Sequence, residues 1–286
     1  MPSIFKTRGK TRLIAFPFWG GKFYHLDWLL PLLPRVHHYC EPFAGSAVVL
    51  LNREPSPVET LNDINGEIIN FFFVLREKPG ELIRKLELTP YSRQEFLKSF
   101  EITEELSDVE RARRFYIRVR QSRDGIIAKS SWSYARQMSR KGMSARTSAW
   151  LSGIEMLQEI AERLRTVQIE NDDAFRVIAR YDDYNVLFYC DPPYPEESRT
   201  SFGEYLFEMT NEDHRRLSEL LHNVKAKVAL SGYHCELLDR LYEDFYCFEA
   251  PGLSLSGKKR KQEVLWTNYN PKIMEKQLNF DECAFD

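Results

Sequence analysis

Asn185-Val186-Leu187-Phe188-Tyr189-Cys190-Asp191-Pro192-Pro193-Tyr194 is an apolar and aromatic run stopped by a carboxylate, two prolines and a tyrosine. Such a continuous run suits a strand buried on both faces, as in a parallel sheet. Pro192 and Pro193 forbid further ladder pairing and stiffen the chain past the strand end. In open α/β sheets the carboxyl ends of the strands are where ligands sit. Asp191 and Tyr194 are therefore presented rigidly where chemistry is expected. Asp-Pro and Pro-Pro also occur as plain turn dipeptides, so the rest of the chain has to decide.

Upstream, Val36-His37-His38-Tyr39-Cys40 predicts a strand that runs into Glu41-Pro42-Phe43-Ala44-Gly45-Ser46, with a helix from Ala47 onward. This is a strand–loop–helix crossover, but it lacks two glycines of the dinucleotide fingerprint, which argues against a phosphate ligand. Some twenty residues on, Val58-Glu59-Thr60-Leu61-Asn62-Asp63-Ile64-Asn65 predicts a second strand with an acid, Asp63, at its end, spaced to accept hydrogen bonds from ribose hydroxyls. A third strand, 167–170, leads to Asn171-Asp172-Asp173 and a helix over 174–181; one of these two acids is expected to cap the helix. Further downstream, the spacing predicts a helix over 210–223, a strand over 227–233, a helix over 235–242, and a terminal hairpin of strands 244–249 and 262–269. Its tip carries Gly257-Lys258-Lys259-Arg260-Lys261. Near the start, Phe16-Pro17-Phe18-Trp19-Gly20-Gly21-Lys22 joins aromatics to two glycines that permit close backbone approach, and to a lysine that could reach an anionic group. Residues 23–34 predict a short helix.

Between the second and third strands, residues 64–88 and 91–120 read as helices, broken at Pro79 and Pro90. Residues 121–146 read as a loop, and 147–166 as a helix with Leu151, Ile154, Leu157, Ile160 and Leu164 on one stripe. The predicted arrangement is a body of residues 1–75 and 151–286 around an insertion of 76–150. Charge is distributed to match. Residues 111–146 hold eleven Lys or Arg and one acid, Asp124, about +10 against a whole-chain net of −2, which leaves about −12 elsewhere. That asymmetry, with Tyr116, Trp132 and Tyr134 interleaved, suggests a polyanion-binding insertion on an acidic body; a solvated basic helix is the blander alternative.

With 43% hydrophobic and 29% charged residues the composition is that of an ordinary globular protein. No apolar run approaches a membrane span, and the N-terminus lacks the apolar core of a signal peptide. Five scattered cysteines without a Cys-x-x-Cys pair point to a reducing cytoplasm, and neither they nor the six histidines suggest a metal.

Taken in order, these stations resemble the Dam-like (alpha-class) DNA adenine-N6 methyltransferases. That family shows an aromatic-rich Gly-Gly-Lys motif, a Glu/Asp-Pro-Phe-x-Gly-Ser loop, a strand-end Asp, an inserted recognition domain, another Asp, and Asp-Pro-Pro-Tyr. Leu230-Ser231-Gly232-Tyr233 and Glu263-Val264-Leu265-Trp266-Thr267-Asn268-Tyr269 are similar to its C-terminal part. Ala47 departs from it, standing where many members carry a second glycine. The resemblance implies a Rossmann-like, S-adenosylmethionine-dependent methyltransferase sheet with an inserted, mostly helical DNA-recognition domain. It implies cofactor contacts from Trp19, Lys22, Glu41, Phe43, Gly45, Asp63 and Asp173, with Asp172 left as the helix cap. Asp191 and the Pro192 carbonyl would accept hydrogen bonds from the exocyclic amine of an adenine flipped out of duplex DNA, and Tyr194 would stack on the base. In the basic loop, Arg123, Arg136 and Arg140 are the candidates for base readout; Lys258, Lys259 and Arg260 would contact phosphates. Restriction–modification, phage and host roles are all compatible with this, the first with a companion endonuclease. Transfer to another planar amine (RNA adenine or a protein glutamine) is the alternative activity. A DNA-binding protein without catalysis is the alternative class.

Overall fold

The structure is a computed structural model and describes residues 12–18, 20–123, 131–139, 142–198, 207–251 and 262–271. Among these residues seven strands form one sheet: β1 His38–Glu41, β2 Val58–Asn62, β3 Val167–Glu170, β4 Val186–Cys190, β5 Lys227–Tyr233, β6 Tyr246–Glu249 and β7 Glu263–Thr267. Their order is β3-β2-β1-β4-β5-β7-β6, and only β7 runs against its neighbours. The opening stretch is thus a central strand. Its side chains alternate between two buried layers, Leu187 and Tyr189 on one face and Val186, Phe188 and Cys190 on the other. The strand order reverses between the parallel neighbours β1 and β4, so the crevice beyond their carboxyl ends is the switch point of the sheet.

Ten α-helices are described: α1 Leu26–Leu29, α2 Val48–Asn52, α3 Gly66–Glu77, α4 Pro79–Glu87, α5 Arg93–Lys98, α6 Asp108–Gln121, α7 Ala145–Leu164, α8 Ala174–Tyr181, α9 Asn211–Asn223 and α10 Glu236–Leu241. Pro79 starts α4 at a position where its missing N–H costs nothing. Thr210 caps α9 in a reciprocal capping box with Asp213. Residues 23–34 form short 3-10 turns around α1 instead of one helix. The helices expected over 91–120 are two, each capped by a serine, with 99–107 between them.

The helices between residues 76 and 150 do not own a separate core. Leu82, Leu86, Phe96, Phe115, Tyr116 and Trp150 share one buried cluster with Tyr39, Leu187 and Tyr189 of the sheet. Tyr116 of α6 stacks on Phe71 of α3 with ring centroids 5.6 Å apart. An insertion packed this way is fixed rigidly to the sheet face, because interiors at crystal-like density transmit position.

The basic run needs correcting in one respect. Five of its eleven cations lie on α6, and none of those five is exposed. Arg111 and Arg118 bond Glu67 of α3; Arg113 bonds Glu110 and Glu95; Arg114 bonds Glu110 and the carbonyls of Lys98 and Glu101. Arg120 donates to the Ala149 carbonyl at 2.8 Å. These cations hold helices together, so the excess charge that faces outward comes from after residue 122. Arg123, Arg136 and Arg146 are exposed there. Two isolated antiparallel bridges, Ser122 with Trp132 and Met138 with Ser144, give that segment a ladder-like base.

Candidate active site

A cavity of about 320 Å3 opens at the switch point of the sheet. Its lining comes from the turn after β1 (Glu41 to Ser46), from Asp63 after β2, from Asp173 to Phe175 at the start of α8, and from Asp191 and Pro193 after β4. Phe18, Phe43 and Phe175 supply apolar wall. Asn62, fully buried, ties the strand ends together: its amide donates to the Pro42 carbonyl at 2.9 Å and the Asp172 carbonyl at 3.0 Å, and its oxygen accepts the Asp172 N–H at 2.9 Å.

The first-strand turn is tight. Gly45 adopts φ +49, and a Cβ there would come within 3.0 Å of the Phe18 ring. The Gly45 N–H donates to Asp63 Oδ2 at 2.9 Å and the Asn65 N–H to Oδ1 at 2.8 Å. Burial pushes the Asp63 carboxyl up to about 6, against the pull of those two N–H groups. Glu41, at the end of β1, accepts the Tyr39 hydroxyl and the Leu50 N–H on one oxygen, and burial raises it to about 8.

Asp173, not Asp172, caps α8: its Oδ1 accepts the N–H groups of Phe175 and Arg176. Asp172 pairs with Arg180 at 2.7 Å and Arg176 at 3.6 Å. The spacing could not separate two adjacent acids. The structure gives the cap to the one that also faces the cavity.

Asp191 has a different setting. Lys22 Nζ lies 2.7 Å from both its oxygens, and the Ser231 hydroxyl donates to Oδ1 at 2.8 Å. The ammonium also donates to the Gly20 carbonyl at 2.8 Å and stands 3.3 Å from Glu263 Oε1. Lys22 is 1% exposed. Burial works against its charge, but Asp191 and then Glu263 outweigh that and hold the ammonium above its ordinary range. The lysine expected to reach a ligand anion therefore spends its charge inside the protein. Six acids, Glu41, Asp63, Asp173, Asp191, Glu208 and Asp213, share the lining with that one lysine, which suits a cationic ligand with hydroxyl and amine donors.

Tyr194 is buried and does not line the cavity. Its hydroxyl donates to Glu263, its edge meets Tyr233 with centroids 4.9 Å apart, and Lys22 Nζ sits 5.0 Å from its ring centre. Burial, then the charges of Asp191 and Glu263, push that hydroxyl above its ordinary range, so it remains a donor. Pro192 is buried directly behind Asp191. Trp19, Arg140, Lys258, Lys259 and Arg260 lie outside the described residues.

Sequence reasoning missed Asn62, Ser231 and Glu263. Ser231 and Glu263 stood in motifs already quoted, but nothing along the chain indicated that they meet Lys22 and Asp191. Among the described residues no cluster of metal-ligating side chains forms, and no helix is long and apolar enough to cross a membrane.

Residues 18–252 match the family model for D12 class N6 adenine-specific DNA methyltransferases. The chain is 26% identical over 293 residues to the Type II methyltransferase M1.LlaDCHI of Lactococcus lactis subsp. cremoris, covering 92% of this chain and 98% of that protein. It is 27% identical over 241 residues to the DNA N-6-adenine-methyltransferase of Escherichia phage P1, covering 80% of this chain and 31% of that protein.

Proposed function

The chain belongs to the D12 class N6 adenine-specific DNA methyltransferase family, and from that membership we propose that it uses S-adenosylmethionine to methylate the exocyclic N6 of an adenine flipped out of duplex DNA. The observation that carries this reading is one acid-lined cavity that runs from Asp63 to Asp191 across the switch point of the sheet. Its volume lies within the range of small-molecule sites. The cofactor is cationic at its sulfonium and amino groups, and the lining suits that charge: six carboxyl side chains, of which burial raises only Glu41 to about 8, with the one lysine already neutralised.

When bound, the cofactor supplies an electrophilic methyl group. The chain's residues do the remainder. Asp63, whose two oxygens each hold one backbone N–H, keeps lone pairs for the ribose hydroxyls. Asp173 accepts both cap bonds on Oδ1, leaving Oδ2 for the adenine amino group of the cofactor. Phe18, Phe43 and Phe175 wall the apolar part, and Glu41 and Gly45 border it. Asp191 Oδ2 and the Pro192 carbonyl accept from the target amine, whose lone pair is otherwise delocalised into the ring. They favour a pyramidal nitrogen and stabilise the positive charge that develops on it. Stacking of the flipped base on Tyr194 requires the ring to become accessible, which DNA binding would supply.

The exposed cations Arg123 and Arg136 beyond α6 meet the DNA together with Arg140, which lies outside the described residues, and Lys258, Lys259 and Arg260 add phosphate contacts. The near full-length match to a Type II methyltransferase supports a DNA-modification role. The test is incubation with methyl-labelled cofactor and mixed-sequence duplex DNA, followed by nucleoside analysis. Label in N6-methyladenine is expected; label in RNA or protein, with none in DNA, overturns the reading.

A further inference from the structure

Glu263 is the member of the buried cluster for which transfer chemistry has no direct use. Its place is nevertheless specific. β7 alone runs antiparallel, and its register sets Glu263 opposite Tyr233. The first residue of β7 thereby arrives at the same edge as the last residue of β5, which is the ligand edge. The side chain is 4% exposed and does not line the cavity. One oxygen, Oε1, accepts the Tyr194 hydroxyl and lies 3.3 Å from Lys22 Nζ, while Lys22 grips both oxygens of Asp191. Glu263 is thus joined to the ring by one route and to the acceptor by the other. A carboxylate buried to this depth is costly unless its partners repay it, and removing one partner of such a cluster is felt by the others.

We propose that Glu263 is a positioning residue of the methyl-transfer reaction: it holds Tyr194 and Lys22 in one frame and, through Lys22, sets the orientation of the Asp191 carboxylate. Ser231 gives Asp191 a second anchor, so losing Glu263 loosens the acceptor without releasing it. The inference rests on the function proposed above. If the wild-type protein transfers no methyl group to DNA, that reading fails; if it does, the variants below judge Glu263 alone.

Glu263→Leu should lower kcat about a hundredfold, the scale on which a displacement of ~1 Å at a reacting group acts. Cofactor Kd, measured on the same preparation, should stay within about threefold, because kcat alone registers misplacement of a transition-state group. Glu263→Gln keeps an acceptor at Oε1 and should recover most of the loss. Tyr194→Phe removes one hydroxyl and no apolar volume; it should lower kcat about fivefold alone and have no further effect in the Glu263→Leu background, since residues acting as a unit are non-additive. A kcat for Glu263→Leu near wild type, a cofactor affinity that falls in step with kcat, or a Tyr194→Phe effect that is equal in both backgrounds would overturn the proposal. Should Glu263→Leu fail to fold, Tyr194→Phe with unchanged kcat overturns it independently.

Discussion

Asp63 and Asp191 stand just past the ends of β2 and β4 and line the same cavity, yet the protein holds them by opposite means. Asp63 meets two neutral backbone N–H groups and, among the described residues, no cation, and burial pushes its carboxyl up to about 6. Asp191 meets a full ammonium, and a serine hydroxyl besides. The difference suits two tasks. An acid lightly held by neutral donors gains when hydroxyl groups arrive, so it is built for binding. An acid clamped by a buried cation is fixed in place before anything arrives, so it is built for geometry at a reacting atom.

The largest way to break the contrast is Asp191→Ala. Methyl transfer should fall by roughly a thousandfold or more, the scale of losing a preorganised acceptor. Cofactor affinity should change little, because Asp63 and Asp173 remain in place. Label transfer to duplex DNA and equilibrium binding on one sample separate the two quantities. Comparable losses in both would mean that the two acids share a task.

Lys22→Met attacks the clamp itself. It leaves Asp191 and Glu263 without the cation between them, and breaking a buried pair of this kind costs about 3–5 kcal/mol. The sign with pH is definite. Burial already raises Glu263, Lys22 opposes that, and without Lys22 the nearby Asp191 charge raises it further. A carboxyl raised in the folded state contributes stability at low pH that is lost as pH rises through its folded value. Urea unfolding of the variant should therefore show a deficit that deepens as pH rises through the folded value of Glu263. A deficit independent of pH would sink the clamp.

What could be seen along the chain divides in the same way. Asp63 and Asp191 were legible because each ends an apolar run, and strand-end acids in an α/β order carry positional meaning. Their partners were not. Lys22 is 169 residues from Asp191, and Glu263 opens its strand, where an acid looks like an ordinary polar edge. Only the antiparallel sense of β7 brings Glu263 to the ligand edge. The basic run failed for a related reason. Summed charge does not distinguish arginines facing Glu67 and Glu110 across α3 and α6 from those facing solvent beyond residue 122. The Asp172 and Asp173 pair shows the limit of spacing, since a shift of one residue decides which acid caps and which is merely paired.

The binding side of the contrast is sharpened by pH. Hydroxyl donors favour ionised Asp63, so cofactor binding should release a proton, and affinity should weaken by up to about tenfold per unit as pH falls below 6. The ligand-free protein behaves in the reverse sense: this group's contribution to stability is complete below about pH 4 and is lost as pH rises through 6. Calorimetric titration in two buffers of different ionisation enthalpy reads the proton directly. Asp63→Asn should bind weakly and lose the pH dependence between 5 and 7.

Ala47 offers the smallest effect and the finest test. It is fully buried at the entry to α2 with φ 53 and ψ 25, the left-handed region that disfavours an L side chain. Glycine would relieve about 1–2 kcal/mol of that strain while adding nearly 1 kcal/mol of unfolded-state entropy to be lost, for a net gain of about 0–1 kcal/mol. The turn that carries Ala47 also carries the Gly45 N–H that holds Asp63, whereas Asp191 is held from elsewhere, by Lys22 and Ser231. Ala47→Gly should therefore raise the unfolding midpoint modestly and leave the transfer rate alone. If cofactor affinity fell instead, the strained alanine would be setting the angle at which the turn presents Gly45 to Asp63. The lightly held acid would then be as carefully placed as the clamped one.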